Sequence, residues 1–201
     1  MGPRALALSL FGQANRWGRL PHTLYPHSYI NEQPMDNFDM AKSPGRTYKY
    51  YQGQPLFPFG FGLSYTSFDS QCEWQHGESQ AKATAVSPVE CAVRNTGAMS
   101  GDEVLLAYHV AGDDVRAQAA HPVPFSQLRA FDRVSLAPAA SAKLVFNLSQ
   151  DDLRLVDAEG HEHLYAGSHV LFFTGVGGRV VATLKVTVPV QSEESHLKIV
   201  I

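Results

Sequence analysis

Three pairs of carboxylates stand close together in the chain: Asp36 and Asp39, Asp113 and Asp114, and Asp151 and Asp152. Two such groups facing each other about 5–5.5 Å apart can act as nucleophile and acid/base on a glycosidic bond. Adjacent residues of a strand or turn point apart, however, and all three pairs fall in loop-like sequence. They read as solvated turn acids, and no catalytic residue is assigned. His161-Glu162-His163 would set two imidazoles on one face of a strand, a usable ligand pair. Zinc asks for three or four ligands, and nothing at sensible spacing completes the set, so an exposed hairpin end is expected and no metal or other cofactor. Gly175-Val176-Gly177-Gly178 follows a strand-like run as a phosphate loop would. It leads into a second alternating run rather than a helix, so it reads as a hairpin turn. Neither a nucleophile elbow nor a Walker lysine is present.

Asn147-Leu148-Ser149 is an acceptor triplet for N-glycosylation if the chain enters a secretory lumen, and Asn147 falls on the outward side of its predicted strand. Cys72 and Cys91 can pair if they lie on neighbouring strands, or remain as buried thiols. Two cysteines supply neither a disulfide framework nor a four-thiolate zinc site.

The 201 residues are 44% hydrophobic and 17% charged, a globular composition, with a net charge of -3 that gives no reason to expect nucleic acid or anionic lipid. No segment approaches the ~18–20 apolar residues of a membrane span. The run from Ala5 to Phe11 sits at the short limit for a secretory signal and reads better as a helix, so localisation stays unassigned.

Period-two alternation begins after residue 62. Val104, Leu106, Tyr108 and Val110 face one way, against Leu105, Ala107 and His109. Similar patterns occupy 142–148 and 180–188, with further strands expected over 64–74, 89–94, 128–136 and 168–174. Asn95-Thr96-Gly97, Glu159-Gly160 and the 175–178 glycines punctuate them, and 151–157 suggests a helical turn. Seven short strands with turns between predict an all-β fold, an antiparallel sandwich of immunoglobulin-like size over 63–190. A tail, 191–201, follows.

Residues 1–62 show no core of their own. Prolines 21, 26, 34, 44, 55 and 58 rule out a long helix beyond the opening one. The stretch from Arg46 to Phe68 is crowded with rings: Tyr48, Tyr50, Tyr51, Phe57, Phe59, Phe61, Tyr65 and Phe68. Such a segment must lie on something, either the sandwich or a surface outside this chain. Tyr48, Tyr50 and Tyr51 could stack on sugar rings, which makes an oligosaccharide-binding or adhesion module the competing reading. Packing at a domain junction is the commoner use of clustered aromatics.

"FGQANRWGRLPHTLYP" and "SPGRTYKYYQGQPLFPFGFGLSYTSF" resemble the end of the α/β sandwich domain of glycoside hydrolase family 3 and its onward connection. "CAVRNTGAMSGDEVLLAYHV", "QLRAFDRVSLAP" and "YAGSHVLFFTG" resemble the fibronectin type III-like domain that closes larger members. The likeness spans about residues 5–190, and "YINEQPMDNFDM" with "PGRTYKYY" is similar to the β-xylosidase branch. Trp17 stands within a turn that is Asn-Pro-Gly-Gly-like in that family, and Ala139-Ala140 stand where it favours Gly-Glu.

The resemblance implies that residues 1–62 are a remnant of the α/β domain plus an aromatic connector. It also implies that the nucleophile and acid/base belong to domains outside these 201 residues. The expected role is therefore a non-catalytic buttress for the catalytic domains of a parent glycosidase acting on terminal β-linked xylose or glucose. Arg46, Tyr48, Phe57, Phe59 and Phe61 are the expected anchors, the chain alone is expected to be inactive, and residues 1–45 are expected to be mobile because they bring few partners of their own.

Overall fold

The computed structural model of the protein describes residues 2–75 and 88–190, so the expected tail, 191–201, lies outside the described residues. In chain order the strands are β1 Phe68–Trp74, β2 Val89–Asn95, β3 Gly101–Ala111, β4 Gln127–Leu136, β5 Ser141–Phe146, β6 Leu155–Val156, β7 Glu162–His163, β8 Gly167–Thr174 and β9 Val180–Val188. β1, β2 and β5 form one antiparallel sheet, and β4, β3, β8 and β9 form another. The short β6–β7 hairpin stands apart from both. The fold is an all-β antiparallel sandwich.

The core lies between the sheets. Phe68, Trp74, Val89, Cys91, Val93, Leu144 and Phe146 come from the three-stranded sheet, and Leu105, Ala107, Leu171, Phe173, Val186 and Val188 from the four-stranded one. These are alternate positions of each strand, as a pleat with one face inward requires. β3 departs from that rule. Its burial runs through both faces, with Val104, Leu106 and Tyr108 opposite Leu105 and Ala107. The outer face of the four-stranded sheet is therefore apolar at its middle and needs a cover.

Register decides the cysteine question. Cys72 and Cys91 are direct partners in the β1–β2 ladder, their Cα atoms 4.0 Å apart, and they form a disulfide. Closing the intervening loop of 19 residues removes unfolded-state entropy worth about 3 kcal/mol. Asn95, fully buried at the end of β2, holds the neighbouring turns. Its Nδ2 donates to the carbonyls of Met99 (2.8 Å) and Leu136 (3.0 Å), and its Oδ1 accepts from the Thr66 hydroxyl (2.8 Å) and Gly97 N–H (3.0 Å).

Residues before β1 form α1, Gly2–Leu10, and two single turns, α2 Tyr29–Glu32 and α3 Thr47–Tyr50. Another short helix, α4 Asp113–Gln118, follows β3, and a 3-10 turn occupies Gln150–Leu153. The expectation that residues 1–45 find few partners fails from Asn15 onward. Asn15 is 4% exposed; it donates to Ser64 Oγ at 3.0 Å and accepts from Tyr65 N–H at 3.0 Å. Leu20 and Leu24 trade backbone hydrogen bonds with Phe61, Gly60, Phe57 and Leu56. The pairing pattern was invisible in sequence because prolines interrupt its period. α1 is different: none of its residues is buried.

The turn at Ala139 has φ of +63°, a left-handed conformation in which Cβ crowds the backbone. Replacing Ala139 by Gly removes that strain at some cost in unfolded-state entropy. Urea unfolding of the Ala139→Gly chain is expected to show a gain of about 0.5–1 kcal/mol; a loss would mean the turn is not strained.

Candidate functional site

The aromatic connector supplies the missing cover. Tyr48 stacks on Phe59 with ring centroids 4.4 Å apart, and both meet Tyr108 edge-on at 5.9 and 6.5 Å. Tyr108 in turn stacks on Phe172 of β8 at 4.8 Å. Each such pair adds about 0.5–1.5 kcal/mol beyond the area it buries. Burial drives the Tyr108 phenol well above its ordinary range, so it stays neutral. Gly60, at φ +81°, permits the approach: a Cβ there would lie 2.6 Å from Leu106 Cδ1 and 2.9 Å from Tyr108 Oη.

Hydrogen bonds fix the same seam. The register of β3 against β4 shifts between Ala107 and Tyr108, and beside that bulge the Leu128 N–H donates to Tyr48 Oη at 3.1 Å. The Phe125 N–H donates to the Lys49 carbonyl at 2.7 Å, and the Gly177 N–H donates to the Gly62 carbonyl at 2.9 Å. Deeper in the seam, Arg19 Nη2 donates to Glu103 Oε2 at 2.9 Å, with the two side chains 5% and 1% exposed. Glu103 Oε1 also accepts from the Val176 N–H at 2.7 Å. Burial raises the pKa of Glu103, while Arg19 and the Val176 amide hold it down.

Two other connector rings lie away from this seam. Phe57 and Phe61, 5.0 Å apart, line an open groove of about 790 Å³ together with Leu10, Trp17, Leu20, Leu24, Leu63 and Tyr65. Trp17 meets Tyr65 edge-on at 6.2 Å, so the ring that departs from the family's turn becomes part of the groove wall. Large apolar side chains are bared throughout this half of the chain. Phe11 is 82% exposed, Met35 86% and Phe38 84%.

Among the residues singled out from sequence, Tyr48 and Phe59 thus lie on the sandwich, and Phe57 and Phe61 in the groove. Arg46 turns instead to its own loop, donating to the carbonyls of Pro34 (2.9 Å) and Asn37. Tyr51 packs edge-on against Tyr25 and Tyr29, which stack on each other at 3.9 Å. Tyr50 is half-buried, and desolvation followed by the charge of Asp39 raises its pKa.

The carboxylate pairs do local work. Asp39 accepts from the Ala41 N–H at 2.9 Å, Asp114 from the Ser168 N–H at 2.8 Å, and Asp151 from Arg154 Nε at 2.7 Å. Asp152 closes a capping box with Ser149. His161 and His163 stand exposed on the β6–β7 hairpin, and His163 Nε2 lies 2.7 Å from Asp157 Oδ2. That hydrogen bond, against the opposing pull of desolvation, lowers Asp157 to about 2. Among the described residues no group of three or more His, Cys, Asp or Glu side chains is arranged to hold a metal ion.

Sequence reading missed the buried polar groups. Asp102 accepts from Arg133 Nε at 2.9 Å and Ser135 Oγ at 2.6 Å. Burial works to raise its pKa but is outweighed by these hydrogen bonds and the Arg133 charge, so it ends below the usual carboxylate range. Two acids at the head of an otherwise apolar strand, Asp102-Glu103, were the available signal. Neighbours in a strand project to opposite faces, so each meets a different arginine.

His109 and His169, nearly inaccessible, form a second hidden pair with Nε2 and Nδ1 2.9 Å apart. His169 Nε2 faces the Tyr165 carbonyl at 3.0 Å and must donate to it. His169 Nδ1 is then an acceptor, and His109 Nε2 carries the proton between the rings. Burial, then His169, Arg129 and Arg116, lowers His109 to about 3, and burial also lowers His169.

Comparison with known proteins fits this geometry. Residues 107–175 match the fibronectin type III-like domain family. Over 176 residues the chain is 34% identical to exo-1,4-beta-xylosidase bxlB of Emericella nidulans, covering 81% of this chain and 22% of that protein. It is 29% identical over 198 residues to beta-xylosidase/alpha-L-arabinofuranosidase 2 of Medicago sativa subsp. varia, covering 85% and 25%. A solved GH3 exo-beta-xylosidase, in complex with a xylobiose aziridine probe, superposes with a TM-score of 0.74. That match spans 98% of this chain and 27% of the other; at 24% identity it speaks for the fold alone. The chain spans about a quarter of the length of the curated relatives it matches. Most of the chain thus resembles a portion of β-xylosidases, with a fibronectin type III-like domain inside it, which is consistent with the C-terminal portion of glycoside hydrolase family 3 proteins. The curated relatives it matches here are named as β-xylosidases.

Two outcomes follow from the buried groups. Arg19→Met strands the Glu103 carboxylate and is expected to cost about 3–5 kcal/mol in urea unfolding, with Glu103→Gln restoring part of it in the double variant. The histidine pair acts through pH. Because His109 titrates lower in the folded chain than in the unfolded one, its contribution is complete above about pH 6.5 and is lost as pH falls toward 3. About 2 kcal/mol should disappear between pH 7 and pH 5, and His109→Gln should flatten that limb; an unchanged slope would exclude the pair as its source.

Proposed function

We propose that this chain is the non-catalytic C-terminal part of a β-xylosidase- or β-glucosidase-type family 3 glycosidase, in which the sandwich buttresses the catalytic domains. Residues 1–62 serve as the closing segment of the α/β domain plus the connector, and 63–190 as the buttress. The parent reaction is hydrolysis of terminal β-linked xylose or glucose from oligosaccharides.

The observation that carries this reading is the uneven distribution of bare apolar surface. Phe57, Phe61, Trp17, Leu24 and Leu63 line an open groove, and α1 lies beside it with no buried residue. Soluble surfaces rarely leave so much apolar area unpaired unless another body covers it. Tyr48 and Phe59 grip the sandwich, while Phe57 and Phe61, on either side of Phe59 in the chain, line the groove instead. Phe57 and Phe61 are therefore the anchors toward the catalytic body, with Tyr48 and Phe59 transmitting that hold to the sandwich and Arg46 stiffening the loop between.

The competing sugar-binding reading draws little support from ring placement. Tyr48 has one face on Phe59, and Tyr51 is committed to Tyr25 and Tyr29.

The test is reconstitution. A family 3 β-xylosidase truncated to lack its own matching portion, mixed with this chain, should form a complex in size-exclusion chromatography and recover hydrolysis of an aryl β-xyloside. Phe57→Ser with Phe61→Ser should weaken that complex by about tenfold or more. Absence of any complex, together with binding of xylo-oligosaccharides that is lost in Tyr48→Ala and Tyr50→Ala, would overturn the proposal in favour of the binding module.

A further inference from the structure

The outer face of the three-stranded sheet carries a separate feature. Asn147 follows directly on β5, whose alternation buries Leu144, Phe146 and Leu148 and turns Lys143, Val145 and Asn147 outward. The Asn147 amide makes no side-chain hydrogen bond with the described residues. The backbone beneath it is held on both sides, by Phe146 and Leu148 in the core (3% and 4% exposed) and by the capping box that Ser149 forms with Asp152. The amide is presented to solvent from a rigid base, as the first residue of Asn-Leu-Ser.

We propose that Asn147 is an N-glycosylation site, modified by transfer from a lipid-linked oligosaccharide in an oxidising lumen. The second, independent observation is the Cys72–Cys91 disulfide in the ladder beside β5. Disulfides form and persist in oxidising compartments and are rare in the cytosol. The same lumen holds the glycan donor, so one localisation accounts for both features. In the transfer, Asn147 Nδ2 attacks the anomeric carbon of the donor, a C–N bond forms, and the C–O bond to the lipid pyrophosphate breaks. The pyrophosphate leaves with the proton the amide gives up.

The site also suits the rest of the molecule. Near Asn147 the outward face carries the Lys143–Glu90 ion pair and Val145, which is 43% exposed and can lie beneath the first sugar. The aromatic cover lies on the outer face of the other sheet, so a glycan at Asn147 leaves the seam clear. Glycosylation neither requires nor prevents the proposed docking, and the two readings can fail separately.

The experiment uses the chain recovered from its own cells. Treatment with a peptide-N-glycosidase should produce one step of increased electrophoretic mobility, with the residue 147 amide converted to a carboxylate in the corresponding peptide. Asn147→Gln and Ser149→Ala, expressed in the same cells, should each lose the step, while Ser149→Thr keeps it. Unmodified Asn147 in chains whose Cys72–Cys91 bond is intact would overturn the assignment, as would free thiols at both cysteines in the native protein.

Discussion

A strand with apolar side chains on both faces needs two layers of cover, and β3 is that strand. Leu105 and Ala107 point into the sandwich, while Val104, Leu106 and Tyr108 point away from it. The second sheet satisfies the first set. Leu128 and Phe172 flank the second set on the same face, and the connector brings Tyr48 and Phe59 to cover it. The attachment of the first 62 residues to the rest is thus a consequence of how β3 is written.

That attachment is reinforced by polar groups that tolerate no slippage. The Arg19–Glu103 pair joins the early segment to β3 at full burial, and Glu103 reaches on to the amide of the β8–β9 turn. Apolar packing is forgiving of small shifts, whereas a buried carboxylate with two donors at 2.7–2.9 Å is not. Rings supply the area, and the ion pair fixes the position. With position fixed, the rings that find no room on the sandwich, Phe57 and Phe61, are held in a defined orientation toward the groove.

The molecule accordingly has two unlike outer faces. One is aromatic, seamed to the connector and continuous with bare apolar surface. The other, over β1, β2 and β5, carries the Lys143–Glu90 pair and the outward amide of Asn147. The proposed buttress role has use for this asymmetry, one face for the body to be supported and one for solvent.

Much of the sandwich was legible in the residues because a pleat with one buried face imposes a period of two. Leu144-Val145-Phe146 and Leu184-Lys185-Val186 carry that period openly, and the strands fall within a few residues of where it puts them. The rings of 46–68 were legible as surface in need of a partner. Which rings turn to the sandwich and which turn outward was not, since that depends on Gly60 letting the chain pass within van der Waals contact of Leu106 and Tyr108. Tertiary structure alone decided the cysteine pairing, through the β1–β2 register, and the meetings of Arg19 with Glu103 and of His109 with His169. Local sequence states a residue's period and polarity. It does not state which distant backbone will stand opposite, and every one of those pairings joins residues that only sheet register or chain crossing brings together.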